Sequence, residues 1–188
     1  MRGIPTTILV APDSFKGTLS ADAVASAIGR GLEQGGWEVE LCPLADGGEG
    51  TLSVLLGALG GELVTASVTD PLGRELEAAF GVAEDAGGRR VAIVETAAAS
   101  GLGLLADDEL DPLGASTVGT GELIVAAAHA GADVIYLGVG GSATTDGGVG
   151  AIRAIEEAGG LGGSKLVVLS DVRTPFEAAA RVYGPQKG

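Results

Sequence analysis

Short apolar runs alternate with helix-like segments along most of this chain. The runs rich in β-branched and aliphatic residues cover residues 6–11, 39–44, 91–94, 134–139 and 166–169. Three of them are almost continuously apolar, as strands buried on both faces of a sheet are. Strands that alternate with helices are typical of a parallel sheet covered by helices. We therefore expect an α/β fold, a Rossmann/flavodoxin-like parallel sheet flanked by helices.

The predicted helices carry their own start and stop signals. One helix is predicted to begin after Ser20, a second covers residues 51–59 and a third covers residues 121–130. A glycine ends each of these helices. The clearest start lies near the end of the chain. There Thr174 is placed to cap a helix, Pro175 to occupy its first position and Glu177 to close a capping box.

One segment interrupts this alternation. Residues 63–68 and 75–82 have the pattern of strands, and turn sequences at residues 70–73 and 85–88 connect them to each other and to the next run. This pattern predicts an antiparallel meander inserted among the βα units. We expect residues 1–60 and 111–188 to form one α/β domain, and residues 61–110 to begin a second domain.

The charge of the chain argues against a nucleic-acid partner, and its apolar segments argue against a membrane location. Eleven Lys and Arg against 25 Asp and Glu give a formal net charge of −14, which repels a nucleic-acid backbone. The most apolar segment, residues 92–106, is interrupted by Glu95 and is too short to span a bilayer. The first residues lack the apolar run of a leader. We therefore expect a soluble cytoplasmic protein, in which the single Cys42 is a small core residue of a strand.

Two glycine-rich segments carry acidic side chains where a predicted strand passes into a helix. The first acidic glycine loop is residues 46–50 (DGGEG), and the second is residues 140–148 (GGSATTDGG). Glycine lets backbone N–H groups approach an anion closely, and the following helix adds the positive end of its dipole. A carboxylate beside such an anion indicates that a cation lies between them. The two loops therefore predict phosphate and metal chemistry.

Polar residues follow the predicted strands at their carboxyl ends. They are Asp13, Asp46, Glu95, residues 140–142 and Asp171. Ligands bind along this edge of a parallel sheet. Carboxylates gathered there would repel each other by roughly 4 kcal/mol per pair at about 4 Å and an effective dielectric near 20. A counter-cation relieves this repulsion, and Mg²⁺ fits best because no His or Cys cluster favours zinc.

Two of the three lysines stand in glycine-bounded motifs. Lys16 follows the first predicted strand, and Lys187 lies near the end of the chain. A lysine can act as a point charge on a phosphate, and the ordinary alternative is an exposed surface lysine. The position of Lys16 just beyond a buried strand favours the phosphate.

Other motifs are weak or absent. Residues 138–143 match a loose dinucleotide-binding pattern, but no acidic residue follows at the required spacing. No phosphate-binding GxxxxGK[ST] motif occurs. A serine hydrolase would have to use His129, and the chain has no GxSxG motif.

Five ordered motifs together resemble the bacterial type I glycerate kinases. They cover residues 11–17, 45–51, 119–124, 140–148 and 184–188. The resemblance implies ATP-dependent phosphorylation of D-glycerate, most often to 2-phosphoglycerate, on a two-domain α/β architecture with the site in the cleft between domains. Thr145 stands where the family often has Asn, and the segment 158–165 is shorter than in many relatives. Members of the family continue well past the last motif, so the chain resembles their N-terminal half.

The resemblance and the loop chemistry together suggest roles for the site residues. ATP phosphates are expected on Gly119, Thr120, Gly140, Gly141, Ser142, Thr144 and Thr145. Mg²⁺ is expected on Asp46 or Asp146. The residues expected to bind substrate are Asp13, Ser14, Lys16, Glu49 and Lys187. Lys16 would neutralise the transferring phosphate or the glycerate carboxylate, and Asp171 would accept the proton of the substrate hydroxyl.

Two alternatives remain open at this level. The chain could be a catalytically inactive nucleotide-binding fragment of such a kinase, because part of the family's length is missing. A nicotinamide-dependent oxidoreductase rests only on the loose match at residues 138–143. The position of phosphorylation, at the 2- or the 3-hydroxyl, and assembly into a homo-oligomer are not decided by the sequence.

Overall fold

The computed structural model describes residues 7–187. Residues 1–6 and Gly188 lie outside the described residues. They include the segment expected to lack a leader, the predicted start of the first strand and the last residue of the final motif. The contacts between residues divide the chain into two compact units, with the boundary after Asp46.

The first unit is a βαβ element. It consists of β1 (Thr7–Val10), α1 (Ala21–Gln34) and β2 (Glu38–Leu41). The two strands are parallel, with Thr7 opposite Glu38. Ser20 caps α1 as predicted, since its Oγ accepts a hydrogen bond from the Ala23 N–H at 3.3 Å.

The second strand is shorter than predicted. It ends at Leu41 instead of residue 44, and Cys42 lies just beyond it in an exposed position. The interpretation of Cys42 as a buried strand residue is therefore wrong. The Cys42 and Leu44 N–H groups still donate to the Val10 and Pro12 carbonyls, at 2.8 and 2.9 Å, so the chain continues beside the β1 segment after the strand ends.

The second unit contains one five-stranded sheet and most of the helices. Its elements are α2 (Thr51–Leu59), β3 (Glu62–Thr69), β4 (Glu75–Glu84), β5 (Arg90–Glu95), α3 (Ala97–Ser100), α4 (Val118–His129), β6 (Val134–Gly138), α5 (Val149–Glu157), β7 (Lys165–Leu169) and α6 (Phe176–Tyr183). The strand order is β3-β4-β5-β6-β7. β3, β4 and β5 pair antiparallel, whereas β5, β6 and β7 pair in parallel. The predicted α/β class and the meander are both confirmed.

Helices cover both faces of this sheet. On one face, Val91 and Ile93 pack against the leucines of α2. On the other face, Val94 and Ile135 pack with Leu123 of α4. Because successive residues of a strand point to opposite faces, the continuous apolar sequence of β5 is explained by burial on both sides. Among the described residues, no helix has the length and apolarity needed to cross a membrane.

This division differs from the predicted domain assignment. The meander within residues 61–110 shares its sheet with β6 and β7, and residues up to Asp46 form a unit of their own. The assignment of residues 1–60 and 111–188 to one domain and 61–110 to another stays a prediction for the whole protein.

Two helix starts differ from the prediction. α4 begins at Val118, three residues before the predicted start. α6 begins at Phe176, with Pro175 in an extended conformation as its N-cap and no side-chain cap. The predicted capping box at Thr174 is therefore wrong. The Thr174 hydroxyl instead lies 2.9 Å from the Tyr183 hydroxyl, at the other end of the helix.

Candidate functional site

The second unit brings the two acidic glycine loops into direct backbone contact. The Gly140 N–H donates a hydrogen bond to the Gly47 carbonyl at 3.1 Å. A Cβ atom at Gly140 would lie 2.5 Å from the Gly48 Cα, and one at Gly138 would lie 2.7 Å from the Gly47 carbonyl oxygen. Glycine is therefore required at residues 138 and 140, on the second-loop side of this contact. The second loop follows β6 at the carboxyl edge of the parallel strands, where ligands bind in α/β folds.

A protein carboxylate already occupies the N-terminus of α2, which follows the first loop. Glu95, at the end of β5, accepts a hydrogen bond through Oε1 from the Leu52 N–H at 2.8 Å. Burial raises the pKa of Glu95, hydrogen bonds from the Leu52 and Gly50 N–H groups oppose this, and the charge of Glu49 raises it further. The expectation that this helix end offers its dipole to a phosphate does not fit this arrangement.

In the second loop, the Asp146 carboxylate likewise accepts hydrogen bonds from N–H groups at the start of a helix. Its Oδ2 accepts hydrogen bonds from the N–H and hydroxyl of Thr117, at 2.9 and 2.7 Å, and from the Gly150 N–H at 3.2 Å. Its Oδ1 accepts from the Gly148 N–H at 2.9 Å. Burial alone would raise the pKa of Asp146, but these hydrogen bonds outweigh it and lower the pKa. Asp146 therefore caps the starts of α4 and α5, with both oxygens engaged.

The donors left for an anion lie at the turn of the second loop. Gly141 is exposed with φ +73°, and Ser142 is half-buried. Within residues 7–187, no acceptor is found for the backbone N–H of either residue. Adjacent N–H groups of this kind form a concave site for an anion.

Lys187 approaches this turn from inside the protein. It is only 7% exposed, and its Nζ donates to Ser142 Oγ at 2.6 Å and to the Thr144 carbonyl at 2.8 Å. Burial lowers the pKa of Lys187, and the charge of Asp146 opposes this effect. The ammonium group and the two free N–H groups make this turn the most favourable place for an anion in the second loop.

Several predicted nucleotide contacts face the protein instead. The Thr144 hydroxyl donates to the Ala115 carbonyl at 2.7 Å, and the Thr145 hydroxyl donates to the Pro112 carbonyl at 2.9 Å. Thr120 is 2% exposed and donates to Ser100 Oγ at 2.8 Å. These hydroxyl groups stabilise the loop and α4 in this arrangement.

Gly119 also serves packing. A Cβ atom there would overlap the Thr69 carbonyl oxygen, so α4 can approach the end of β3 only with glycine at this position. Glu122, one turn along, accepts hydrogen bonds from the N–H and hydroxyl of Thr69 at 2.6 and 3.0 Å. The motif that begins at Gly119 thus attaches α4 to the sheet.

The first unit carries the predicted substrate and metal residues that follow β1 and β2. Lys16 Nζ lies 3.1 Å from Asp46 Oδ2, and the Lys16 side chain is 78% exposed. Asp13 accepts a hydrogen bond from the Ser14 N–H at 2.6 Å. An exposed ion pair of this kind contributes little to stability, so Lys16 remains accessible to an anion.

The other predicted residues lie exposed in loops of the second unit. Glu49 stands between two glycines before α2, and Asp171 follows β7. Among residues 7–187, no three His, Cys, Asp or Glu residues are grouped closely enough to bind a metal ion. Mg²⁺ usually binds to one or two protein carboxylates together with phosphate oxygens, so a single carboxylate can contribute to such a site.

The sequence predicts Glu95 only as a polar residue at a strand end, and it does not predict a role for Thr117. A lone acid after an apolar run is the signal for Glu95. For Thr117, the signal is a hydroxyl residue just before a helix. Neither signal identifies the partner.

Comparison with known proteins gives consistent results. Residues 8–159 match a family model described as the glycerate kinase family. A glycerate kinase of Bacillus subtilis (strain 168) is 42% identical over 96% of this chain and 55% of its own length. A glycerate 2-kinase of Escherichia coli (strain K12) is 38% identical over 96% of this chain and 55% of its own length.

The fold comparison agrees. The crystal structure of a candidate glycerate kinase 2 from Salmonella typhimurium LT2 superposes with a TM-score of 0.78, at 38% identity, over 97% of this chain and 58% of that one. The chain therefore spans a little over half the length of the relatives that it matches.

Proposed function

Because this chain belongs to the glycerate kinase family, we propose that it takes part in ATP-dependent phosphorylation of D-glycerate. The γ-phosphoryl group passes from ATP to a hydroxyl oxygen of glycerate, giving ADP and 2-phosphoglycerate or 3-phosphoglycerate. The observation that carries the proposal is the anion site of the second loop, where free N–H groups of Gly141 and Ser142 lie beside the Lys187 ammonium.

In the second unit, we assign the phosphates of ATP to the turn formed by Gly140, Gly141 and Ser142. Backbone N–H groups bind phosphate oxygens without a side chain, and glycine permits the close approach. Thr144, Thr145 and Asp146 stabilise this turn through hydrogen bonds within the protein. Asp171 is assigned the proton of the substrate hydroxyl, since it is an exposed carboxylate at the carboxyl end of a parallel strand.

In the first unit, we assign Lys16 to the transferring phosphate or to the glycerate carboxylate. Its exposed ammonium can form charge-assisted hydrogen bonds with either group. Asp13, Ser14 and, in the second unit, Glu49 are assigned to substrate binding through their polar side chains.

We assign Mg²⁺ to Asp46 or to Asp146. The Asp46 carboxylate is half-buried and pairs with Lys16, and both oxygens of Asp146 accept hydrogen bonds. The bound cation would neutralise charge on the phosphate oxygens. We also propose a cytoplasmic location, where ATP is available, and no nucleic-acid partner, given the net charge of −14.

A steady-state assay of the purified chain with ATP, Mg²⁺ and D-glycerate tests the proposal. We expect ADP and one phosphoglycerate, which ³¹P NMR assigns as the 2- or the 3-isomer. Asp171→Asn should reduce kcat by at least about 100-fold, the usual contribution of a general base. Asp108→Asn, at another exposed aspartate, should leave kcat unchanged. Equal activity in the two variants would remove Asp171 from the proton-accepting role.

A second candidate function is that of a nucleotide-binding module without turnover. It is favoured by the coverage of only 55% of the relatives' length. A thermal-shift titration with Mg-ATP distinguishes the two functions. Stabilisation without turnover supports the module, turnover supports the kinase, and the absence of both contradicts each proposal.

A further inference from the structure

Lys187 is a buried cation whose ammonium group, among the described residues, donates its hydrogen bonds to the second acidic glycine loop. It is 7% exposed, whereas Lys16, the other lysine in a glycine-bounded motif, has a side chain that is 78% exposed. Within residues 7–187, no carboxylate oxygen lies within ion-pair distance of the Lys187 ammonium. Its partners are neutral oxygen atoms of Ser142 and Thr144. A lysine that acted by direct contact with a ligand would be expected to lie at the surface, as Lys16 does.

The hydrogen bond to Ser142 has a chemical consequence. A lysine ammonium only donates hydrogen bonds, whereas a serine hydroxyl has one proton to donate and two lone pairs. Because Ser142 Oγ accepts from Lys187 at 2.6 Å, its own proton must point elsewhere. Among the described residues, no acceptor for that proton is found. The Ser142 hydroxyl is thus directed as a donor, beside the unbonded N–H groups of Gly141 and Ser142.

The loop around this hydroxyl is held in place. Ala143 is fully buried, and its N–H donates to the Ser100 carbonyl at 2.8 Å. Lys187 bridges the residues on either side of Ala143. These contacts restrict movement of the turn that carries the three donors, and donors of this kind bind the oxygens of an oxyanion such as phosphate.

We infer that Lys187 is a positioning residue, which makes the Ser142 hydroxyl an obligate hydrogen-bond donor to a bound phosphate group and does not contact that group itself. The inference rests on the proposed function, because it takes the anion of this loop to be a phosphate of the nucleotide.

A double-mutant cycle tests the inference. The affinities of the wild-type chain for Mg-ATP and for inorganic triphosphate are measured by calorimetry and compared with those of Ser142→Ala, Lys187→Met and the double variant. One hydrogen bond to a charged group contributes enough to change affinity on the order of 10-fold. If Lys187 acts through Ser142, each single variant loses about 10-fold, and the double variant loses little more than either single one.

Control variants separate positioning from folding. Lys165→Met removes the remaining lysine, which is exposed at the start of β7, and should leave affinity unchanged. Ser142→Thr retains a hydroxyl and should keep most of the affinity. If Lys187→Met fails to fold, loss in Ser142→Ala together with recovery in Ser142→Thr still supports the donor role of the hydroxyl. Full affinity in Ser142→Ala overturns it.

The outcomes distinguish this inference from the proposed function. Additive losses in the double variant mean that Lys187 contacts the phosphate independently, which overturns the inference and leaves the proposed function standing. Coupled losses without glycerate turnover support the inference and contradict the kinase activity of this chain. Failure of the wild type to bind either phosphate compound overturns the anion site and the inference with it.

Discussion

Replacing Asp146 with alanine should destabilise the second unit by several kcal/mol. The carboxylate accepts hydrogen bonds from two backbone N–H groups of buried residues, Thr117 and Gly150, and from the Thr117 hydroxyl. Leaving one buried donor without an acceptor costs about 1–3 kcal/mol. Losses within one network are not additive, so we expect the free energy of unfolding to fall by roughly 3–5 kcal/mol in total.

Urea unfolding followed by far-UV circular dichroism measures this loss. With a slope of about 2 kcal/mol per molar urea, the midpoint should fall by about 2 M. Asp108→Ala is the matched control, because Asp108 is exposed in a short 3₁₀ turn of the same unit. Fluorescence of Trp37, the single tryptophan, follows the first unit separately.

The competing role for Asp146 is that of a magnesium ligand. A metal ligand without a structural role would leave the metal-free midpoint unchanged and would reduce stabilisation by Mg-ATP. An Asp146→Ala midpoint equal to that of Asp108→Ala, in the absence of metal, would therefore refute the capping role.

Three further predictions concern the same loops. Glu95→Gln retains an acceptor for the Leu52 N–H without a buried charge, so its melting temperature at pH 7 should equal or exceed that of the wild type. Glu95→Ala removes the cap and should lose about 1 kcal/mol of stability. A lower melting temperature for Glu95→Gln than for Glu95→Ala would contradict this. Gly140→Ala places a Cβ 2.5 Å from the Gly48 Cα and should cost about 1–3 kcal/mol in urea unfolding; wild-type stability would show that the loops do not touch. Folding lowers the pKa of Asp146 from 3.8, so the contribution of its charged form to stability is present above that pH and is lost as the pH falls through the folded value. The stability difference between wild type and Asp146→Asn should therefore shrink below about pH 4. A constant difference from pH 7 to pH 2 would contradict the lowered pKa.

Local sequence patterns were sufficient for the strands and most helices. The continuous apolar run of β5 predicts burial on both faces, and α2 on one side and α4 on the other provide it. Ser20 was recognised as a cap because its partner, the Ala23 N–H, is only three residues away. Both partners of such a signal lie within a few residues of each other, so the signal can be recognised in the sequence without knowledge of the fold.

The site depended on partners that are distant in sequence. Glu95 caps a helix whose Leu52 N–H is 43 residues away, and Asp146 accepts from Thr117 at a separation of 29 residues. Glu95 and Asp146 both accept hydrogen bonds from N–H groups at helix starts, and the metal role of Asp146 stays a prediction. The motif around Lys187 indicated phosphate chemistry but not its burial, because the contact with Ser142 spans 45 residues.

Amide chemical shifts during a titration with Mg-ATP test the central claim most directly. A ¹⁵N-labelled chain is titrated, and the amide signals of Gly141 and Ser142 are followed together with those of Leu52 and Gly150 at the helix starts. We expect large, saturable shifts at Gly141 and Ser142, with little change at Leu52 and Gly150, whose N–H groups are already bonded to carboxylates. Saturable shifts confined to Leu52 or Gly150, with Gly141 and Ser142 unchanged, would contradict it.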